Sequence, residues 1–213
     1  GCGQCAAVCP TGAIIIKNDS HRLWKELNQE DTIAVAQVAP AVRGAVAKEF
    51  GYNGENVMGK IVAALRRIGF NYIFDTSTAA DLTVMEESKE FADRLANGGK
   101  LPLFTSCCPA WIKYAENEYP EILPNISTCR SPMQMFASVL HEYSKNSSRK
   151  HFHVAVMPCT AKKFERQRDE FKLDGKDPVD AVITTQELIM MIKESGVVFD
   201  EIEPEAVDMP FGT

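Results

Sequence analysis

No apolar run in these 213 residues is long enough to cross a bilayer. Stretches such as Ala34–Val38 and Val154–Met157 fall far short of the roughly 20 residues a membrane helix needs. There is no surplus of positive charge. The 23 Lys+Arg against 29 Asp+Glu leave a net charge of −6, so nothing provides a basic footprint for nucleic acid. There is no internal repeat. With 45% hydrophobic and 24% charged residues, the composition is that of a folded domain or two small lobes, not of a disordered, collagenous or low-complexity chain. The chain lacks an initial Met and any n-region/h-region leader. It starts at Gly1, inside a cysteine motif, and stops at Met209-Pro210-Phe211-Gly212-Thr213. It is read as an internal piece of a longer protein, with a cytoplasmic location expected from the missing leader.

What the chain has is cysteine, in clusters. The seven are Cys2, Cys5, Cys9, Cys107, Cys108, Cys129 and Cys159, an odd number that does not suit a secreted disulfide framework. Cys2-x2-Cys5-x3-Cys9-Pro10 is the last three quarters of the bacterial ferredoxin run C-x2-C-x2-C-x3-C-P, in which the cysteine before proline serves the neighbouring cube. A zinc knuckle or a redox CxxC is the alternative, but zinc spacings rarely end in C-x3-C-P.

Residues 1–17 therefore read as the tail of a ferredoxin-type iron–sulfur module, and 18–213 as a second, larger domain. A polar helix anchored by Trp24 and Leu27 is expected to connect them. Strands are expected over Thr32–Ala39, Phe70–Phe74, Leu101–Thr105, Phe152–Val156 and Ala181–Thr184. Helices are expected over Ala41–Phe50, Val57–Ile68, Leu82–Ala96, Ala110–Glu118, Pro132–Tyr143 and Gln186–Ser195. This alternation means an α/β fold, largely parallel sheets flanked by helices, in two lobes around a buried cofactor site. In such sheets ligands bind beyond the carboxyl ends of the strands. Pro40, Cys107-Cys108 and Cys159 each follow an expected strand, so three distinctive turns are expected to converge on one edge. A thiolate at a helix start, as in Thr105–Trp111, has a lowered pKa and is a good metal ligand. Lys162, three residues after Cys159, suggests an anionic ligand.

The motifs TSCCPAW (105–111) and MPCTAKKFE (157–165), with CGQCAAVCP (2–10), AQVAPAVR (36–43) and SPMQM (131–135) in this order, strongly resemble the [FeFe]-hydrogenases over essentially the whole chain. The resemblance implies an H-cluster: a [4Fe–4S] cube joined through cysteine to a two-iron unit carrying CO, cyanide and a dithiolate, which interconverts protons, electrons and H₂. It implies Cys108 and Cys159 as two of four cube ligands, the other two lying in a third signature expected after Thr213. Cys2, Cys5 and Cys9 are implied as ligands of ferredoxin-type clusters. Cys107 is implied as the proton-passing thiol and Lys162 as the donor to one cyanide. Pro40 and Ala41 would line the other cyanide, and Met157 would pack near the bridging carbonyl. The implied proton path runs Cys107, Glu87, Ser127, Glu90, solvent. Glu87 and Glu90 share one face of a helix. From the residues alone they also read as a solvated acidic face beside Lys89. Many catalytic members carry Gln where Met133 stands; here Gln134 comes next.

Other residues read plainly. Cys129 is expected to be a small buried side chain. Met133, Met135, Met190 and Met191 are expected to fill core. The stretch Lys162–Lys172 is expected to be mostly solvated, Lys162 excepted. No metal role is expected for His21, His141, His151 or His153. The resemblance further implies a ferredoxin or diaphorase-type electron partner, H-cluster maturation proteins and an anaerobic cell. Two rivals within the superfamily are an iron–sulfur assembly relative and an H₂-sensing relative.

Overall fold

The structure, a computed structural model, describes residues 1–209. Its centre is a sheet of four parallel strands in the order β2-β1-β3-β4. β1 spans Thr32–Val38, β2 Tyr72–Asp75, β3 Lys150–Met157 and β4 Ala181–Thr184. Every residue from Ala34 to Val38 and from Phe152 to Met157 is buried, as a sheet covered on both faces requires. On one face pack α2 (Ser20–Leu27), α3 (Val42–Glu49), α4 (Met58–Ile68) and α9 (Thr185–Glu194). They bring Leu23, Val46, Ile61, Leu65, Leu188 and Met191 into the main core. On the other, Val35 and Phe74 meet Ala79 of α5 (Ser77–Ala96) and Phe136 of α7 (Pro132–Ser144).

The α5/α7 face also buries a closed polar network. The Gln37 amide donates to the Met133 carbonyl (3.0 Å) and to His153 Nε2 (3.0 Å), and accepts from Thr76 Oγ1 (3.2 Å). His153 Nδ1 lies 3.0 Å from the Pro178 carbonyl. A carbonyl can only accept, so Nδ1 carries the proton and Nε2 accepts from Gln37. Burial pushes the His153 pKa down to about 4. Beyond α9 the chain returns across α4. Lys60 Nζ donates to the carbonyls of Phe199, Asp200 and Ile202. Pro204 passes 2.7 Å from where a Cβ on Gly59 would stand, so only glycine fits there. Arg66 pairs with Glu205 and Asp208. Asp208 Oδ2 then accepts from the Ile73 amide of β2 (2.7 Å), and its own amide donates back to the Ile73 carbonyl (2.8 Å).

Several expectations are corrected. Residues 101–105 form no sheet strand. Phe104 makes one isolated bridge, to Ile126, and the proline at 102, which has no N–H, cannot serve a ladder. The Cys107-Cys108 turn therefore does not leave the sheet. The second strand lies over Tyr72–Asp75, not Phe70–Phe74. α5 begins at Ser77, where the Ser77 amide donates to Asp75 Oδ1 (2.8 Å). The charges at 162–172 are not mainly solvated: Glu165 and Arg166 are buried like Lys162, and Lys163 is half-buried among ion partners. Met190 is exposed.

His153 sets a pH dependence. Its folded pKa of about 4 lies below the ordinary 6.5. Its contribution to stability is therefore complete above pH 6.5 and is lost as the pH falls toward 4, by about 3 kcal/mol. Urea midpoints measured between these pH values are expected to fall accordingly in the natural protein. They are expected to fall much less in His153→Gln.

Candidate active site

The parallel register that pairs Val38 with Val156, continued by Ala39 N donating to Val156 O (3.0 Å), fixes two turns side by side. Pro40-Ala41 leaves β1 for α3. Pro158-Cys159 leaves β3 for α8 (Lys162–Glu165). Pro40 and Ala41 are exposed and Cys159 is half-buried, while Met157 is buried at the strand end. The Cys107-Cys108 turn reaches this edge from elsewhere and opens α6 (Pro109–Glu118). Cys108 caps that helix, its Sγ accepting from the Trp111 amide at 3.5 Å. Lys162 ties this turn to the others. Its Nζ donates to the Cys107 carbonyl (2.8 Å) and pairs with Glu165 Oε2 (2.7 Å). Both side chains are buried. A cation so placed is held at the turn by a carbonyl dipole and a countercharge, and it presents positive charge to the edge.

All seven cysteines are free thiols. Among the described residues no three His, Cys, Asp or Glu side chains gather as a metal site. Cys2, just before α1 (Gln4–Ala7), and Cys5, within it, are exposed. Cys9 is lowered to about 7, chiefly by the Ile14 amide and then by the Thr11 hydroxyl. Thr160 Oγ1, next to Cys159, donates to the Gly1 carbonyl (3.1 Å).

Of the expected relay, the structure joins one pair. Ser127 Oγ donates to Glu90 Oε2 at 2.8 Å. Burial pushes Glu90 up, but donors from Ser127, Arg94 and Thr128 outweigh it and hold the carboxyl below its usual range. Glu87 Oε1 is buried without a partner among the described residues. Cys107 is exposed, with its Sγ 4.0 Å from Thr105 Oγ1. No bond joins Cys107 to Glu87, or Glu87 to Ser127, among the described residues. Cys129 is half-buried and raised to about 11, by burial first and then by Glu87, Glu86 and Glu90. Met133 is in the core. The buried amide of its neighbour Gln134 has neither atom partnered among the described residues.

Sequence reasoning missed two residues here. Arg94 grips Glu90 through Nη2 (2.6 Å) and Nε (3.1 Å) and also donates to the carbonyls of Lys100, Pro124 and Ile126. Its spacing of four from Glu90 on one helix was the available signal. Glu165 lies three residues from Lys162, inside the quoted motif.

At the carboxyl end of the parallel sheet, the Cys159 turn and the separate Cys107-Cys108 turn thus meet around a buried ammonium. Residues 32–213 match the family model described as "Iron only hydrogenase large subunit, C-terminal domain", and the chain belongs to that family. It is 44% identical, over 99% of its length, to the NADP-reducing hydrogenase subunit HndD of Solidesulfovibrio fructosivorans, of which the match covers 38%. It is 42% identical over 95% of its length to iron hydrogenase 1 of Clostridium pasteurianum, covering 36% of that protein. A solved [FeFe]-hydrogenase of Chlamydomonas reinhardtii superposes with a TM-score of 0.85 at 36% identity, over 92% of this chain and 52% of the other. The chain is also 34% identical, over 95% of its length, to a cytosolic Fe–S cluster assembly factor of Danio rerio, covering 54% of it. It thus spans between roughly a third and a half of these relatives' lengths.

Arg94→Met would strand the half-buried Glu90 carboxylate. It is expected to destabilise the chain by about 3 kcal/mol, read as a lowered urea midpoint, with Arg94→Lys recovering only part because it lacks the planar fork.

Proposed function

We propose that the chain is the greater part of the catalytic domain of an [FeFe]-hydrogenase, over residues 18–213, preceded over 1–17 by the end of a ferredoxin-type module. The observation that carries this reading is the Lys162–Cys107 hydrogen bond (2.8 Å), which brings the two cysteine signatures together with an ammonium between them. The donor set suits iron–sulfur chemistry: free thiols, one at a helix start, beside a buried cation. When bound, the H-cluster supplies the redox chemistry that interconverts protons and H₂.

In this reading Cys108 and Cys159 hold the cube with two cysteines from elsewhere in the full-length protein. Lys162 donates to a cyanide, Pro40 and Ala41 wall the other, and Met157 packs behind. Cys107 moves protons between the reacting centre and Glu87. Glu87, with an orphaned oxygen that needs a partner, passes them to Ser127 and Glu90 and so to solvent. Short hops between such groups are what proton transfer requires. Cys2 and Cys5 hold a ferredoxin-type cube and Cys9 its neighbour, with electrons arriving from a ferredoxin or a diaphorase-type subunit. Maturation proteins would install the two-iron unit, and an anaerobic setting follows from the same reading.

The assembly-factor reading rests on the 34% relative. Cys107 and Lys162 favour the hydrogenase over it, because assembly relatives usually lose parts of these motifs. Glu87 and Glu90 count against a purely sensory role.

In the full-length protein, Cys107→Ala is expected to abolish nearly all H₂ turnover in a gas-exchange assay while leaving the cube's spectroscopic signature intact. Unchanged turnover would remove Cys107 from the mechanism.

A further inference from the structure

The cysteine turn at the start of the chain sits against the active-site turn, with Thr160 at the contact. Thr160 directly follows Cys159, and its Oγ1 donates to the Gly1 carbonyl at 3.1 Å. Gly3 lies against the same hydroxyl: a Cβ there would stand 2.9 Å from Thr160 Oγ1. Its φ of +85° is also one that L side chains rarely adopt. Cys2 is thus flanked on both sides by residues that touch Thr160, and Thr160 is itself bonded to Cys159. Cys2, Gly3, Pro158 and Thr160 line one cleft of about 470 Å³.

The seat is fastened from behind. Asp19, on the connection to α2, is buried. Its carboxylate lies 3.0 Å from Lys163 Nζ and its amide donates to Glu187 Oε1 (2.8 Å). Lys163 also pairs with Glu187 (3.0 Å) and donates to the Val182 carbonyl (2.6 Å). The segment is therefore anchored at both ends, to the Cys159 turn and to the sheet.

We propose that Thr160 is the positioning residue for electron entry, setting the spacing between a cube on the Cys2/Cys5 turn and a cube on Cys108 and Cys159. This rests on the function proposed above. The step is a one-electron handover. The reduced ferredoxin-type cube is oxidised, the active-site cube is reduced, and no bond or proton moves. Its rate falls steeply with distance, so a seat that admits no methyl group at Gly3 is a device for keeping the gap short.

The test uses full-length protein carrying its [4Fe–4S] cubes but not the two-iron unit. Electron paramagnetic resonance of the reduced protein reads the magnetic coupling between cubes, and photochemical reduction reads the transfer rate. Thr160→Val keeps the volume and removes the hydroxyl; it is expected to weaken the coupling and slow transfer several-fold at unchanged iron content. Thr160→Ser is expected to retain both. Gly3→Ala provides the same perturbation from the other side should Thr160→Val fold poorly, and the same loss is expected. Coupling and rate unaltered in Thr160→Val and Gly3→Ala would overturn this proposal alone. If Cys159→Ala removes no iron from the natural protein, no cube sits there, and the function proposed above falls with it.

Discussion

A buried ammonium gives the site its shape. The sheet alone brings together only the turns that leave β1 and β3, because parallel register places Pro40 opposite Pro158. The turn with Cys107 and Cys108 belongs to no sheet strand, and the hydrogen bond from Lys162 to the Cys107 carbonyl ties it to the others. A buried, unpaired ammonium would be penalised by several kcal/mol. Glu165, 2.7 Å away, is the countercharge that makes the arrangement tolerable.

The next residue performs a similar task in another direction. Successive side chains on a helix diverge by about 100°, so Lys162 and Lys163 face different neighbours from one short helical turn. Lys162 meets the Cys107 turn, and Lys163 meets Asp19, Glu187 and the Val182 carbonyl. With Thr160 on Gly1, the stretch from Cys159 to Glu165 touches the start of the chain, the sheet and the second cysteine turn. In the proposed function, the ligand Cys159, the cation Lys162 and the seat for the start of the chain thus all lie in one loop–helix junction.

Much of this was legible in the sequence. The buried strands at β1, β3 and β4 announced themselves as apolar, β-branched runs, and the cysteine spacings marked the turns. The run Leu101–Thr105 was misleading because its leucines and phenylalanine read as strand while Pro102, in its midst, argued against a ladder. Its real pairing is a single bridge to Ile126. The charges at 162–172, Lys162 excepted, read as a wet surface because decisive partners are remote: Asp19 stands 144 positions before Lys163, a distance no local pattern reports. The same is true of the Gln37–His153–Met133 network, whose members are isolated polar residues until the sheet assembles. Glu90 and Arg94 were the opposite case, a helical pair in plain view whose further task, holding three loop carbonyls, depends on tertiary contact. Of the proton path, the sequence named four residues, and the structure joins Ser127 to Glu90.

The return of the chain over α4 has a consequence for solubility. β2 is an outer strand, and outer strands offer bare amides and carbonyls to any passing β-segment. At Ile73 both groups are already spent on Asp208, one on its carboxylate and one on its own backbone. A negatively charged residue clamped there by Arg66 acts as a stopper: at that point, a foreign strand seeking to extend the sheet would have to evict a salt-bridged carboxylate before forming its first bond.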